Sequence, residues 1–145
     1  MNVRIWLTAV WFASFVAALG IVESYIGHQD ANGKLMLLDE DRPDAMKPVI
    51  ALFASYLSGL LAFWFLRPLP KAKRPRGEQV RAVLAMACTV LFNAMILYLL
   101  CGEHRHRNGN VFEMIHDTIL VAGWASLLVG PVNLYYFGMK ESATR

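Results

Sequence analysis

The pattern of apolar and charged positions divides the chain into four long apolar segments separated by polar ones. Residues 5–22, 49–66, 82–102 and 118–139 contain no Asp, Glu, Lys, Arg or His, and each is at least 18 residues long. About 20 apolar residues in an α-helix span the roughly 30 Å hydrocarbon core of a bilayer. Helices also satisfy backbone hydrogen bonds where water is absent. The pattern therefore predicts an all-α integral membrane protein, an antiparallel bundle of four transmembrane helices with short loops.

The predicted helices and the loops between them account for nearly the whole chain. The helices cover approximately residues 5–26, 48–66, 80–102 and 116–138 and leave a single membrane domain of residues 1–145. Composition agrees, because 57% of the residues are apolar and only 17% are charged, against about 25% charged in typical soluble domains. No connecting segment is long enough to form a separate soluble core.

The charges of the connections predict an orientation. Residues 67–81 carry a net charge of +5, whereas residues 28–47 carry −2. Positive residues in short loops stay on the cytoplasmic side, so both termini are predicted to be cytoplasmic, in a bacterial inner membrane. The basic loop is a topology signal that also contacts anionic lipid head groups, and no nucleic acid partner is needed to explain the overall charge of +3. The basic residues of this loop, residues 67–81, are Arg67, Lys71, Lys73, Arg74, Arg76 and Arg81.

Small residues recur at intervals of three or four along three of the predicted helices. Such faces let the backbones of membrane helices approach closely, because lipid tails supply no hydrophobic drive for association. We expect these faces to meet within the chain, with an interface to other subunits or to a second copy as the alternative. The residues are Ala9, Ala13, Ala17 and Gly20, then Ser55 and Ser58, then Ala122, Ser126 and Gly130.

A few polar or bulky side chains fall inside the apolar segments. Asn93 lies near the middle of the third segment and is interpreted as an interhelical hydrogen-bonding residue, with a step in a permeation path as the alternative. Asn133 lies nearer the inner boundary. Trp11 and Trp124 lie deep enough to be interpreted as packing residues.

A polar cluster is predicted at the exoplasmic rim. It combines imidazole and carboxylate groups, which could ligate zinc or copper. Arg105 and Arg107 interleave with the histidines and oppose a cation, so no cofactor is predicted, and Glu23 is expected to pair with His28 or Arg105. The cluster consists of Glu23, His28, Glu103, His104, His106 and His116.

The first exoplasmic loop contains an apolar run, residues 35–38, between charged flanks. It lies on the bilayer, caps the bundle or docks on another protein. With no catalytic constellation in the sequence, the leading hypothesis is a non-enzymatic interaction or assembly subunit of a membrane complex. The alternatives are a small homo-oligomeric transporter or channel, with Glu23, Asn93 and Asn133 on its path, and an exoplasmic metal-binding protein.

Overall fold

The described part of the chain is almost entirely helical. The computed structural model describes residues 3–29, 33, 35–66, 78–101 and 111–137. Over these ranges the prediction of an all-α protein is confirmed. The helices are α1 (Val3–Tyr25), a 3-10 helix (Asp39–Asp41), α2 (Arg42–Leu66), α3 (Glu78–Cys101) and α4 (Val111–Phe137).

Three of the described helical segments are long and apolar enough to cross a membrane. They are Val3–Tyr25, Asp39–Ala62 and Gln79–Cys101. This length and composition are compatible with a membrane location.

All four helices begin earlier than the predicted spans, α1 and α3 by two residues, α2 by six and α4 by five, because the apolar run does not mark where helical geometry starts. α2 begins at Arg42, and Pro43 fits its first turn, where no N–H donor is needed. Lys47 Nζ lies 2.7 Å from Asp44 Oδ1, which adds an ion pair to the same polar turns. α4 begins at Val111, and Glu113 lies in its first turn, where a carboxylate interacts favourably with the helix dipole.

The helices pack so that α1 and α4 each contact both α2 and α3. α1 and α2 are antiparallel, because Trp64 Nε1 donates to Thr8 Oγ1 (2.9 Å) near one end and Arg42 contacts Glu23 near the other. α1 and α3 are parallel neighbours, and the Tyr25 hydroxyl donates to the Leu100 carbonyl where both helices finish. The predicted antiparallel arrangement therefore holds for α1 and α2, but not for the packed pair α1 and α3.

An aromatic cluster fills the interior between α1, α2 and α3. The Trp11 ring is fully buried and stacks on Tyr56 with ring centroids 4.3 Å apart. Phe53 meets Trp11 edge-on at 6.0 Å, and Phe92 of α3 lies 5.8 Å from Trp11. Edge-on and offset aromatic pairs add stabilisation beyond area burial. Trp11 thus fixes which side of α1 faces inward. Its burial agrees with its interpretation as a packing residue.

The small-residue face of α1 points away from the bundle. Ala9, Ala13, Ala17 and Gly20 are all exposed, and a Cβ built on Gly20 meets nothing within 4 Å. The expectation that these residues pack inside the chain is therefore corrected, because Leu7, Trp11 and other large side chains occupy the interior instead.

The other predicted packing residues divide between the two sides. On α2, Ser55 and Ser58 are also exposed, so they too lie outside the interior of the chain. On α4, Ala122 is fully buried, and Ser126 and Gly130 are half-buried. Trp124 is 76% exposed, so it does not pack within the chain as Trp11 does.

Replacing Phe53 with Ala should lower the free energy of unfolding by about 3 kcal/mol, because a cavity opens beside Trp11 and Phe15. Phe65→Ala is the matched control, since Phe65 lies on the same helix and is 84% exposed. Thermal denaturation in detergent, followed by circular dichroism, measures both variants. Equal destabilisation by the two changes would contradict the aromatic core.

Candidate functional site

Polar groups gather at the end of the bundle where α1 and α3 finish and α2 begins. Arg42, the first residue of α2, places Nη2 2.8 Å from Glu23 Oε1 near the end of α1. Both side chains are about half exposed, at 48% and 45%. The sequence predicts that Glu23 pairs with His28 or Arg105. It pairs with Arg42 and not with His28, because α2 begins earlier than the apolar run predicts, and Arg105 lies outside the described residues. An exposed pair of this kind stabilises by about 1 kcal/mol or less.

The loop that leaves α1 is folded back on itself by backbone hydrogen bonds. Gly27 adopts φ 73°, the left-handed conformation common just after a helix, and its N–H donates to the Leu37 carbonyl at 3.1 Å. The Met36 N–H donates to the His28 carbonyl at 2.8 Å. Leu37 is only 2% exposed, so it closes the end of the bundle core.

The predicted metal-binding residues are not assembled in the described part of the chain. His28 and His116 are exposed, and Glu23 is engaged with Arg42. Glu103, His104 and His106 lie outside the described residues. Among the residues that the structure describes, no group of three or more His, Cys, Asp or Glu side chains is arranged to hold a metal ion.

Buried polar atoms mark the centre of the bundle. Asn93 is 1% exposed, and its Nδ2 donates to the Thr89 carbonyl at 2.9 Å, one turn earlier in α3. The bond therefore lies within one helix, and not between helices as the sequence interpretation expects. Asn93 Oδ1, Thr89 Oγ1 and Trp11 Nε1 have no hydrogen-bond partner among the described residues. The same holds for both amide atoms of Asn133 in α4.

Three interhelical hydrogen bonds involve residues that sequence reasoning did not select for this role. A side-chain hydrogen bond joins Tyr56 of α2 to Ser126 of α4, Trp64 of α2 donates to Thr8 of α1, and the Tyr25 hydroxyl of α1 donates to the Leu100 carbonyl of α3. The sequence does not predict these bonds, because Tyr and Trp are as well suited to a membrane interface, where they contact head groups, as to hydrogen bonds between helices.

The structure describes one of the six basic residues of the basic loop. Arg81 lies in the first turn of α3 and is exposed. The other five, Arg67, Lys71, Lys73, Arg74 and Arg76, lie outside the described residues.

Comparison with known proteins gives no functional guide. No family model, no curated protein and no solved structure matches the chain.

Replacing Asn93 with Leu should leave the melting temperature unchanged or raise it, because the change removes a buried acceptor that lacks a partner. Asn93→Asp should destabilise by several kcal/mol at neutral pH, since it buries a carboxylate. Thermal denaturation of both variants in detergent provides the measurement. A large loss of stability in Asn93→Leu would show that the amide holds the helices together.

Replacing Gly27 with Ala should destabilise the protein by about 1 kcal/mol, because an L side chain at φ 73° is strained. Gly59→Ala is the matched control: its Cβ meets open space in the middle of α2, where Ala is the better helix former. Chemical denaturation compares the two. If Gly27→Ala is as stable as Gly59→Ala, the described turn after α1 is incorrect.

Proposed function

We propose that this protein is a non-enzymatic four-helix membrane protein that acts as an interaction or assembly subunit of a membrane complex. The observation that carries the proposal is the outward position of Ala9, Ala13, Ala17 and Gly20 on α1. Small residues on a lipid-facing surface gain nothing from lipid, whereas on an interface they allow a second helix to approach closely. The surface they form, here called the α1 small-residue face, is the proposed contact with another membrane helix.

The rest of the molecule supports a packing role. The interior is filled by aromatic and aliphatic side chains, and the buried polar residues of the described chain are uncharged: Ser14, Thr89, Asn93 and Thr118. Charged groups of the described chain lie at the helix ends, where an interaction subunit meets loops of its partners.

In the proposed topology all four helices span a bacterial inner membrane and both termini are cytoplasmic. The net charge of +5 on residues 67–81 supports this orientation. The basic loop then faces anionic lipids on the cytoplasmic side, and the loop between α1 and α2 faces the exoplasmic side.

A transporter receives less support from the geometry. Glu23 lies near the end of α1, where it forms an ion pair with Arg42. Its side chain is 45% exposed, so it does not lie inside the bundle. Asn93 uses one of its amide atoms within its own helix. A metal-binding role would depend on Glu103, His104 and His106, which lie outside the described residues.

Replacing Ala13 with Leu should weaken association with partner subunits or with a second copy by about tenfold or more, because a bulky side chain keeps the approaching helix away. The matched control is Ala94→Leu, an exposed alanine near the middle of α3 and away from the α1 small-residue face. Co-purification in mild detergent, with native mass spectrometry of the particle, measures association. Circular dichroism shows that both variants retain the fold.

Two outcomes would count against the proposal. A wild-type particle that is monomeric and free of partners in several mild detergents would contradict an assembly role. Equal loss of association in Ala13→Leu and Ala94→Leu would remove the α1 small-residue face as the contact.

A further inference from the structure

The apolar run between α1 and α2 resolves into one buried and two exposed leucines. Leu37 is 2% exposed, because its backbone bonds Gly27 and its side chain enters the core. Leu35 and Leu38 are 43% and 44% exposed on either side of it. The segment is held in place by an isolated bridge between Gln29 and Leu35 and by the bridge between Ile26 and Leu37. The two exposed leucines are therefore presented by an ordered backbone.

An acidic rim follows these leucines directly. Asp39 and Glu40 are exposed in the 3-10 helix, and Asp44 is exposed in the first turn of α2. Asp41 Oδ2 accepts a hydrogen bond from the Leu38 backbone N–H at 3.3 Å, which ties the rim to the leucine. Among the described residues of this segment, both basic side chains form ion pairs, since Arg42 bridges Glu23 and Asp39 and Lys47 pairs with Asp44.

The charge of this rim decides what can cover the leucines. Residues 28–47 contain five acidic and three basic residues, a net charge of −2. This net negative charge repels anionic lipid head groups, and an occupant with apolar side chains alone would leave it uncompensated. An occupant with both apolar and cationic side chains would bury the two leucines and also compensate the negative charge of the rim.

We propose that Leu35, Leu38, Asp39, Glu40 and Asp44 form a docking surface for a basic amphipathic segment of a partner protein. This leucine and acid surface rests on the proposed function, because it names one of the contacts that an assembly subunit would make. The leucines bury the apolar face of the segment, and the carboxylates face its Lys or Arg side chains. The partner is thus defined by its chemistry as a cationic amphipathic helix.

The test uses the full chain in nanodiscs of neutral phosphatidylcholine. The probe is a fluorescent synthetic amphipathic helix made of Leu and Lys, and its counterpart carries Glu in place of Lys. Anisotropy measures binding after subtraction of the signal from empty nanodiscs. We expect the Leu and Lys helix to bind at least about tenfold more tightly than the Leu and Glu helix, with an affinity that falls as salt is added.

Two variants separate the leucines from the charges. Leu35→Ser/Leu38→Ser and Glu40→Lys should each weaken binding by about tenfold. The matched control is Val80→Ser, an exposed apolar residue in the first turn of α3, at the opposite end of the bundle. It should bind as the wild type does. Circular dichroism confirms that each variant is folded, and Glu40→Lys keeps both leucines in place.

Three results would overturn the docking surface. They are equal binding of the two helices, unchanged binding by Leu35→Ser/Leu38→Ser, and lipid burial of the surface. The last is measured with Leu38→Trp, whose fluorescence brominated lipid would quench if the leucines lay in the bilayer. The proposed function is judged separately: partners that co-purify with both loop variants, but not with Ala13→Leu, would refute this surface and leave the assembly role intact.

Discussion

The orientation of α1 about Trp11 is the constraint on which the rest of the structure depends. In lipid, burying an apolar side chain gains little, so helices are held by close packing and by hydrogen bonds. Trp11 supplies that packing through three ring contacts, with Phe53 and Tyr56 of α2 and with Phe92 of α3. Once this large ring faces inward, the opposite side of the same helix must face outward, and that side carries the small residues. The interior and the proposed interface are two consequences of one rotation.

The ends of the helices are fixed by a different kind of interaction. Where α1 finishes, backbone hydrogen bonds and one exposed ion pair turn the chain back toward α2. Gly27 allows the reversal because its backbone is left-handed, and Leu37 seals the core beneath it. The described parts of this loop, residues 26–29 and 35–38, therefore pack against the end of the bundle. Their backbone contacts place the exposed Leu35 and Leu38 next to the acidic rim.

Charge placement predicted the helical segments, but it could not predict their faces. The long segments are apolar on all sides of the helix, so the periodicity that marks the buried side of a soluble helix is weak in them. Trp11 and Trp124 illustrate this: both occur deep in apolar runs, yet one is fully buried and the other is 76% exposed. The spacing of the small residues on α1 led to the wrong expectation that they face the interior, because spacing alone does not show which side of the helix packs within the chain.

The ion pair of Glu23 with Arg42 was not predicted for a related reason. The sequence suggested His28 or Arg105 as the partner, whereas Arg42 reaches Glu23 because α2 begins before its apolar run and brings a polar first turn to the end of α1. Partners at helix ends depend on where each helix starts, and apolar length does not give that position. Asp39, Glu40 and Asp44 lie just before this first turn or within it, and they are exposed and follow Leu35 and Leu38 along the chain. No charged side chain among the described residues is buried, so the surface at this end of the bundle combines exposed carboxylates with exposed leucines.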